Sequence, residues 1–199
     1  MEKIFSIPMF RSKISKPYHY RENEIVCTES SYCSQVGFII KGELELIHYT
    51  LHGDEVTLAT LKEDNMFGDF LVFTDQPFYP GTLVVKKAAV IRFLDRDKLN
   101  ALLRESEQFR QLFLTHISQK AMTMNRQNKL LLQPTIREKV HYYIAREATT
   151  YKPKVRYKNK TALAKIMNVQ RPSLVRELKK MKAEGVIDYD ASYLWFVQR

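Results

Sequence analysis

Between Glu24 and Leu94 the apolar residues come in short runs of strand length, separated by Gly, Pro, Asn and Asp. Glu24-Ile25-Val26-Cys27 and Val36-Gly37-Phe38-Ile39-Ile40 come first. Lys41-Gly42 reads as a break before Glu43-Leu44-Glu45-Leu46-Ile47-His48-Tyr49. In that third run Leu44, Leu46 and His48 alternate with Glu43, Glu45 and Ile47, the period of two of a half-buried strand. Further runs are Glu55–Leu61, Met66–Phe70, Leu83–Lys86 and Ala88–Leu94. Many short strands with closely spaced turn signals predict a β-barrel or a double-sheet jelly roll. Residues 1 to about 20, punctuated by Pro8 and Pro17, read as irregular.

After Leu94 the period becomes helical. Asp95 reads as the N-cap of a helix from Arg96 to Leu103. A longer helix is expected from Glu107 to Leu131, striped by Phe109, Leu112, Phe113, His116, Ile117, Ala121, Met124 and Leu131 with no internal Gly or Pro. About 25 residues span about 38 Å, more than the core of one small domain covers. The early half is read as packing on the strand-rich region. The later half, Met122 to Leu131, is read as a seam between two copies of the chain.

Gln133-Pro134 ends that helix, because a residue before proline avoids the helical region. Pro134 is read as opening a new helix through Ala148, with Ile136, Val140, Tyr143 and Ile144 inward. Tyr151 to Lys160 is a basic stretch in which Val155-Arg156-Tyr157 forms a strand. Thr161-Ala162-Leu163-Ala164-Lys165-Ile166-Met167 then carries Leu163, Ile166 and Met167 at helical spacing, with Thr161 as N-cap. Asn168 falls where the chain must turn sharply, and Asn tolerates the left-handed region. In the helix that follows, Leu174, Leu178 and Met181 share one face, while Pro172, Ser173, Arg176, Lys179 and Lys180 occupy the other. Pro172 sits at the helix start, where a missing N–H costs nothing. Lys182 suits the C-terminal dipole and Gly185 is placed to stop the helix. Two short helices, a tight turn and cations at the start of the second form a helix-turn-helix. Val186–Tyr189 and Tyr193–Val197 around Asp190-Ala191-Ser192 supply a hairpin beside it, a wing.

Charge sharpens this picture. The 199 residues carry a net +10. From Gln133 onward there are 15 Lys and Arg against 6 Asp and Glu, a balance of +9; the first 132 residues hold 17 against 16, a balance of +1. Solubility alone predicts no such asymmetry, whereas a polyanion met by the last third of the chain does. The hydrophobic content of 45% excludes a disordered chain. No apolar run approaches the roughly 18 residues that span a bilayer. Met1-Glu2-Lys3-Ile4-Phe5 is not a secretory signal, so a cytoplasmic location without membrane association is expected. No nucleophile–base pair, metal spacing or phosphate loop stands out, so an enzyme is not expected, nor a cofactor. The five histidines, His19, His48, His52, His116 and His141, make no metal-ligand spacing, and His48 and His52, which flank a turn, read as structural or solvated. Cys27 and Cys33 read as reduced thiols.

Gly37-Phe38-Ile39-Ile40-Lys41-Gly42-Glu43-Leu44, Phe67-Gly68-Asp69, Thr161-Ala162-Leu163-Ala164 and Arg171-Pro172-Ser173-Leu174-Val175-Arg176-Glu177-Leu178, in this order, resemble the hairpin, turn and DNA-reading helices of the Crp/Fnr family of bacterial transcription regulators. The resemblance covers nearly the whole chain and implies an α+β fold. That fold has an N-terminal β-roll (double-stranded jelly roll) as sensor over 1–104, a long dimerisation helix and hinge over 105–132, and a C-terminal winged helix-turn-helix over 133–199. It implies a homodimer setting the recognition helix, 171–183, of each copy into successive major grooves of a roughly palindromic double-stranded DNA site. RNA polymerase and an unidentified small-molecule effector are further candidate partners.

By position Arg171 and Arg176 match the family's base- and phosphate-contacting arginines. Where the family often has Glu after the first of these, this chain has Pro172, so the preferred operator should differ. Ser173, Gln170 and Thr161 are candidate hydrogen-bond partners of DNA, and Lys179 and Lys180 candidate phosphate contacts. The resemblance also places an effector pocket at Phe67, Asp69, Tyr79 and Thr82. Members that bind cyclic AMP hold its phosphate with Arg-Ser, but Phe78-Tyr79-Pro80-Gly81-Thr82 has no Arg. A buried phosphate without its cation is costly, so an effector other than cyclic AMP, or none, is expected. The iron–sulfur branch needs four cysteine ligands and this chain has two. A thiol switch at Cys27 and Cys33 is one alternative; a small-molecule binding protein without specific DNA binding is another.

Overall fold

Residues 2–20 form regular elements, contrary to the irregular segment expected of them. They form α1 (Glu2–Phe5), α2 (Pro8–Lys13) and β1 (Tyr18–Tyr20). Ile4, Ile7, Phe10 and Ile14, three or four residues apart, are all buried. Pro8, which reads as punctuation, is the first residue of α2, where its ring displaces no helical bond. Phe10 packs its ring 5.1 Å from that of Phe38 and 5.6 Å from that of Phe109. The computed structural model describes residues 2–197; Met1, Gln198 and Arg199, the outermost residues of the expected first and last domains, lie outside the described residues.

Five more strands follow: β2 (Ile25–Cys27), β3 (Gln35–Tyr49), β4 (Glu55–Lys62), β5 (Met66–Phe67) and β6 (Thr82–Asp95). They pair antiparallel in the order β1-β6-β3-β4, with β2 also on β6 and β5 also on β3. Lys41-Gly42 does not break β3, which is continuous over 15 residues. The register against β6 shifts between Ile39 and Leu44 instead. Gly42 lies inside that bulge at φ +103°, and a Cβ there would stand 2.6 Å from the Ala88 carbonyl oxygen. A second shift, between Leu46 and Ile47 opposite β4, reverses the facing of the strand end. Ile47 is buried, while Leu46 and His48 are only half-buried, the reverse of the simple alternation. Long strands bent at bulges wrap the sheet over its own core, and the jelly-roll expectation stands.

A single 3₁₀ turn, Leu71–Phe73, separates β5 from β6. Then come α3 (Arg96–Glu105) and α4 (Glu107–Leu131). Asp95 is the N-cap residue of α3, though its side chain makes no capping bond there. Phe109 and Phe113 of α4 are buried in the core formed with α1, α2 and α3.

The second set comprises α5 (Ile136–Glu147), β7 (Val155–Arg156), α6 (Lys160–Met167), α7 (Arg171–Ala183), β8 (Ile187–Tyr189) and β9 (Tyr193–Phe196). Pro134 does not open α5. Thr135 caps it through a reciprocal box with Glu138, whose carboxylate takes the Thr135 N–H at 3.1 Å. The three short strands form an antiparallel sheet in the order β7-β9-β8. Val140, Ile144, Leu163, Leu174, Leu178 and Met181 are at most 1% exposed and share one core with Ile187 and Leu194. The chain divides into two compact units, 1–119 and 120–199, each with its own core. Among the described residues no helix is long and apolar enough to cross a membrane.

Candidate nucleic-acid interface

The turn between α6 and α7 is fixed by local chemistry. Asn159, not Thr161, caps α6: its side-chain oxygen accepts the Ala162 N–H at 2.8 Å, and Thr161 lies exposed in the first turn. Asn caps as readily as Thr and stands two residues earlier, which is why the sequence admits both. At the other end Asn168 adopts φ 50°, ψ 56°. The Val169 N–H then reaches the Ala164 carbonyl and the Asn168 N–H that of Lys165, the paired bonds of a Schellman closure. The carbonyls left over are taken by side chains: Gln127 donates to Ile166 at 2.7 Å and Lys139 to Met167 at 3.0 Å.

α7 starts at Arg171 with Gln170 as N-cap, and Gln170 makes no capping side-chain bond. Gln170, Arg171, Pro172, Arg176, Lys179 and Lys180 are exposed and Ser173 is half-buried. Arg176 Nη2 lies 3.4 Å from Ser173 Oγ, one turn back. At the far end Gly185, at φ +68°, completes a second Schellman closure: its N–H meets the Lys182 carbonyl and that of Val186 meets Met181. All eight residues singled out as DNA contacts thus fall on or beside α6 and α7.

Sequence reasoning missed what happens to the acids around them. Arg137 of α5 donates to Glu177 at 2.8 Å and to Glu184 at 2.6 Å, clipping both acids of the α7 region inward. The Arg137 contact holds the Glu184 carboxyl below its ordinary range. Lys182 pairs with Asp188 and lowers it likewise. Asp190 accepts the backbone N–H groups of Ser192 and Tyr193, both at 2.7 Å, which lowers it too. With Glu138 in its capping box and Glu147 on Arg146 at 2.7 Å, all six carboxylates beyond Gln133 are engaged by the protein itself. Glu177 and Glu184 are seven apart, which predicts one face of α7, but nothing local to them names Arg137 as the partner.

In the first unit the four expected pocket residues separate. Phe67 and Tyr79 line a cleft of about 610 Å³ with Tyr18, Tyr20, Tyr32 and Phe93, and among the described residues no Lys, Arg, His, Asp or Glu lines it. Asp69 is fully buried elsewhere and receives His116 Nε2 of α4 at 2.8 Å. Thr82 is buried and its hydroxyl oxygen accepts the Glu29 N–H at 3.1 Å. Burial is the main cause that pushes Cys27 up to about 12 and raises Cys33 as well. Cys33, 1% exposed, lies 3.4 Å from the Gln35 carbonyl oxygen. Among the described residues no group of three or more His, Cys, Asp or Glu could hold a metal ion.

Residues 17–106 match the family model described as the cyclic nucleotide-binding domain. Solved structures share the fold of nearly the whole chain. The c-di-GMP responsive global regulator CLP of Xanthomonas campestris is 14% identical, covering 98% of this chain and 99% of that one, with a TM-score of 0.61. The catabolite activator protein of Thermus thermophilus is 19% identical, covering 93% and 86%, with a TM-score of 0.53. A transcriptional regulator of the Crp/Fnr family from Eubacterium rectale is 12% identical, covering 96% and 88%, with a TM-score of 0.52. At these identities the likeness is one of fold. No curated protein matches the chain in sequence.

Proposed function

We propose that this chain is a DNA-binding transcription regulator of the Crp/Fnr type, acting as a homodimer in the cytoplasm. The observation that carries the reading is α7: an apolar face at most 1% exposed, an opposite face of exposed cations, and an N-terminus held open after a left-handed Asn168. Such a helix offers Arg171 and Arg176 to base edges, where a guanidinium can grip guanine O6 and N7 together. The engaged acids leave the surrounding field positive. Met122, Met124 and Leu131, between 38% and 56% exposed on the later half of α4, are the apolar positions a second copy would cover.

The effector, if there is one, is not a cyclic nucleotide. Its phosphate needs a cation and finds none in the aromatic cleft. Asp69, one of the expected pocket residues, is already bound by His116. A neutral or aromatic molecule fits the cleft better. No residue is assigned a catalytic role.

Selection of bound duplexes from a random library tests the reading. A roughly palindromic site with half-sites about 34 Å apart is expected. Arg171→Ala and Arg176→Ala should each narrow the gap between that site and random DNA by about 1–3 kcal/mol. Variants that discriminate as well as the parent would remove the recognition-helix assignment.

A further inference from the structure

The segment leading into α6 reads Lys152-Pro153-Lys154-Val155-Arg156-Tyr157-Lys158-Asn159-Lys160, with a cation at every second position. Val155 and Tyr157 between them are each 5% exposed, while Lys152, Lys154, Arg156 and Lys158 are exposed. Only Val155–Arg156 is regular strand, where alternate side chains face opposite ways, but the alternation of burial continues on both sides of it, with apolar residues in the core and cations exposed. β7 is the edge of its three-stranded sheet.

The row is held in place. Thr149 and Lys152 exchange backbone hydrogen bonds of 3.0 Å. The Tyr157 N–H meets the Ser192 carbonyl at 2.8 Å and its hydroxyl donates to the Asp190 carbonyl at 2.6 Å. Asn159 then caps α6. Lys152, Lys154, Arg156 and Tyr193 line a cleft of about 660 Å³. Its one acid, Glu147, is taken by Arg146. The hairpin tip that usually serves as a wing is a poor anion contact here, since it presents Asp190.

We propose that this edge strand, and not the hairpin tip, is a second DNA-contacting surface that grips the phosphate backbone beside the groove entered by α7. The inference rests on the DNA-binding reading above. A row of cations at alternate positions suits a polymer of regularly spaced negative charges better than a lone phosphate. It also runs without interruption into the helix-turn-helix. Lys160, at its end, and Lys182, of α7, sit over the same Tyr189 ring at 4.7 and 5.3 Å. Lys154 covers the ring of Trp195, the sole tryptophan, at 4.1 Å. That ring therefore senses whatever draws Lys154 away.

The test uses the full chain with Lys152, Lys154, Arg156 and Lys158 all changed to Gln, after its thermal unfolding is matched to the parent's. The slope of log affinity against log salt should shrink by about 2–4, at about 0.9 for each phosphate that is no longer neutralised. Selected and random duplexes should weaken by the same factor, leaving their ratio intact. Changing the three lysines to Arg should keep the parent slope. Saturating DNA should shift Trp195 emission in the parent. A Gln variant with the parent's slope and affinity overturns the inference and leaves the row as a guard against edge pairing. Binding to phosphatidylglycerol vesicles that needs these cations, while DNA binding does not, overturns it in favour of a membrane. A parent that binds no duplex refutes the DNA-binding reading itself; a parent that discriminates beside an unaltered Gln variant refutes only this surface.

Discussion

In the roll, Asp69 is sealed from solvent and held by His116 at 2.8 Å; in the second unit, Arg171 and Arg176 stand exposed while every acid nearby has an internal partner. The first unit has drawn Asp69, one of the expected pocket residues, into its own packing. The second has clipped its acids to Arg137, Arg146, Lys182 and backbone N–H groups, and it leaves Arg171 and Arg176 exposed. Desolvating a charge is unfavourable unless a partner is supplied, and both units supply partners to their carboxylates. A side chain that the protein has already satisfied is a poor candidate for a ligand contact, whatever its position in a motif. One left exposed beside a rigid backbone is a good candidate.

Three changes probe that contrast, and Trp195 makes them separable because it reports on the second unit alone. The largest effect is expected from Leu178→Ala, which empties a site 1% exposed in the helix-turn-helix core. It should cost about 2–5 kcal/mol, read as an earlier loss of Trp195 emission in urea, with the sheet signal in circular dichroism little changed. If both signals move together, the units do not unfold separately.

Next comes His116→Ala, which takes from the buried Asp69 carboxylate the imidazole at 2.8 Å. A loss of about 1–3 kcal/mol should appear in the roll and not at Trp195. An unchanged roll would mean that the contact is incidental and that Asp69 is available to a ligand after all. The smallest effect belongs to Asn168. Asn168→Ala forces a Cβ residue without Asn's local hydrogen bonding into φ 50°, which should cost about 1 kcal/mol. Asn168→Gly should cost nothing or stabilise slightly. Equal melting temperatures for the two would show that the turn does not depend on the left-handed residue.

Much of the second unit was legible in one dimension. Leu174, Leu178 and Met181 lie within eight residues of one another, so their shared face follows from the helical repeat, and the closing Gly185 follows from the same stretch. The limits of α4, Glu107 and Leu131, are likewise those read from its apolar stripe, which runs from Phe109 to Leu131. Two local readings failed because a neighbour competed for the same role: Asn159 and not Thr161 caps α6, and Thr135 and not Pro134 opens α5. Pro8 failed differently, opening a helix where it seemed to punctuate an irregular segment. The roll was legible as a set of strands but not in detail. A bulge moves every later side chain to the other face, and a bulge is chosen by the partner strand.

Taken alone, the chain determined its periods of two and of 3.6, the place of its sharpest helix–helix turn, and the confinement of surplus positive charge to its last third. These are sums over neighbouring residues, and neighbours are what a sequence records. Only the tertiary structure decided that His116 would satisfy Asp69 across 47 positions and that Arg137 would reach Glu177 across 40. It also decided which residues would line the neutral aromatic cleft. Those pairings depend on which surfaces the core brings together, and the energy that selects them is gained only when the whole unit packs.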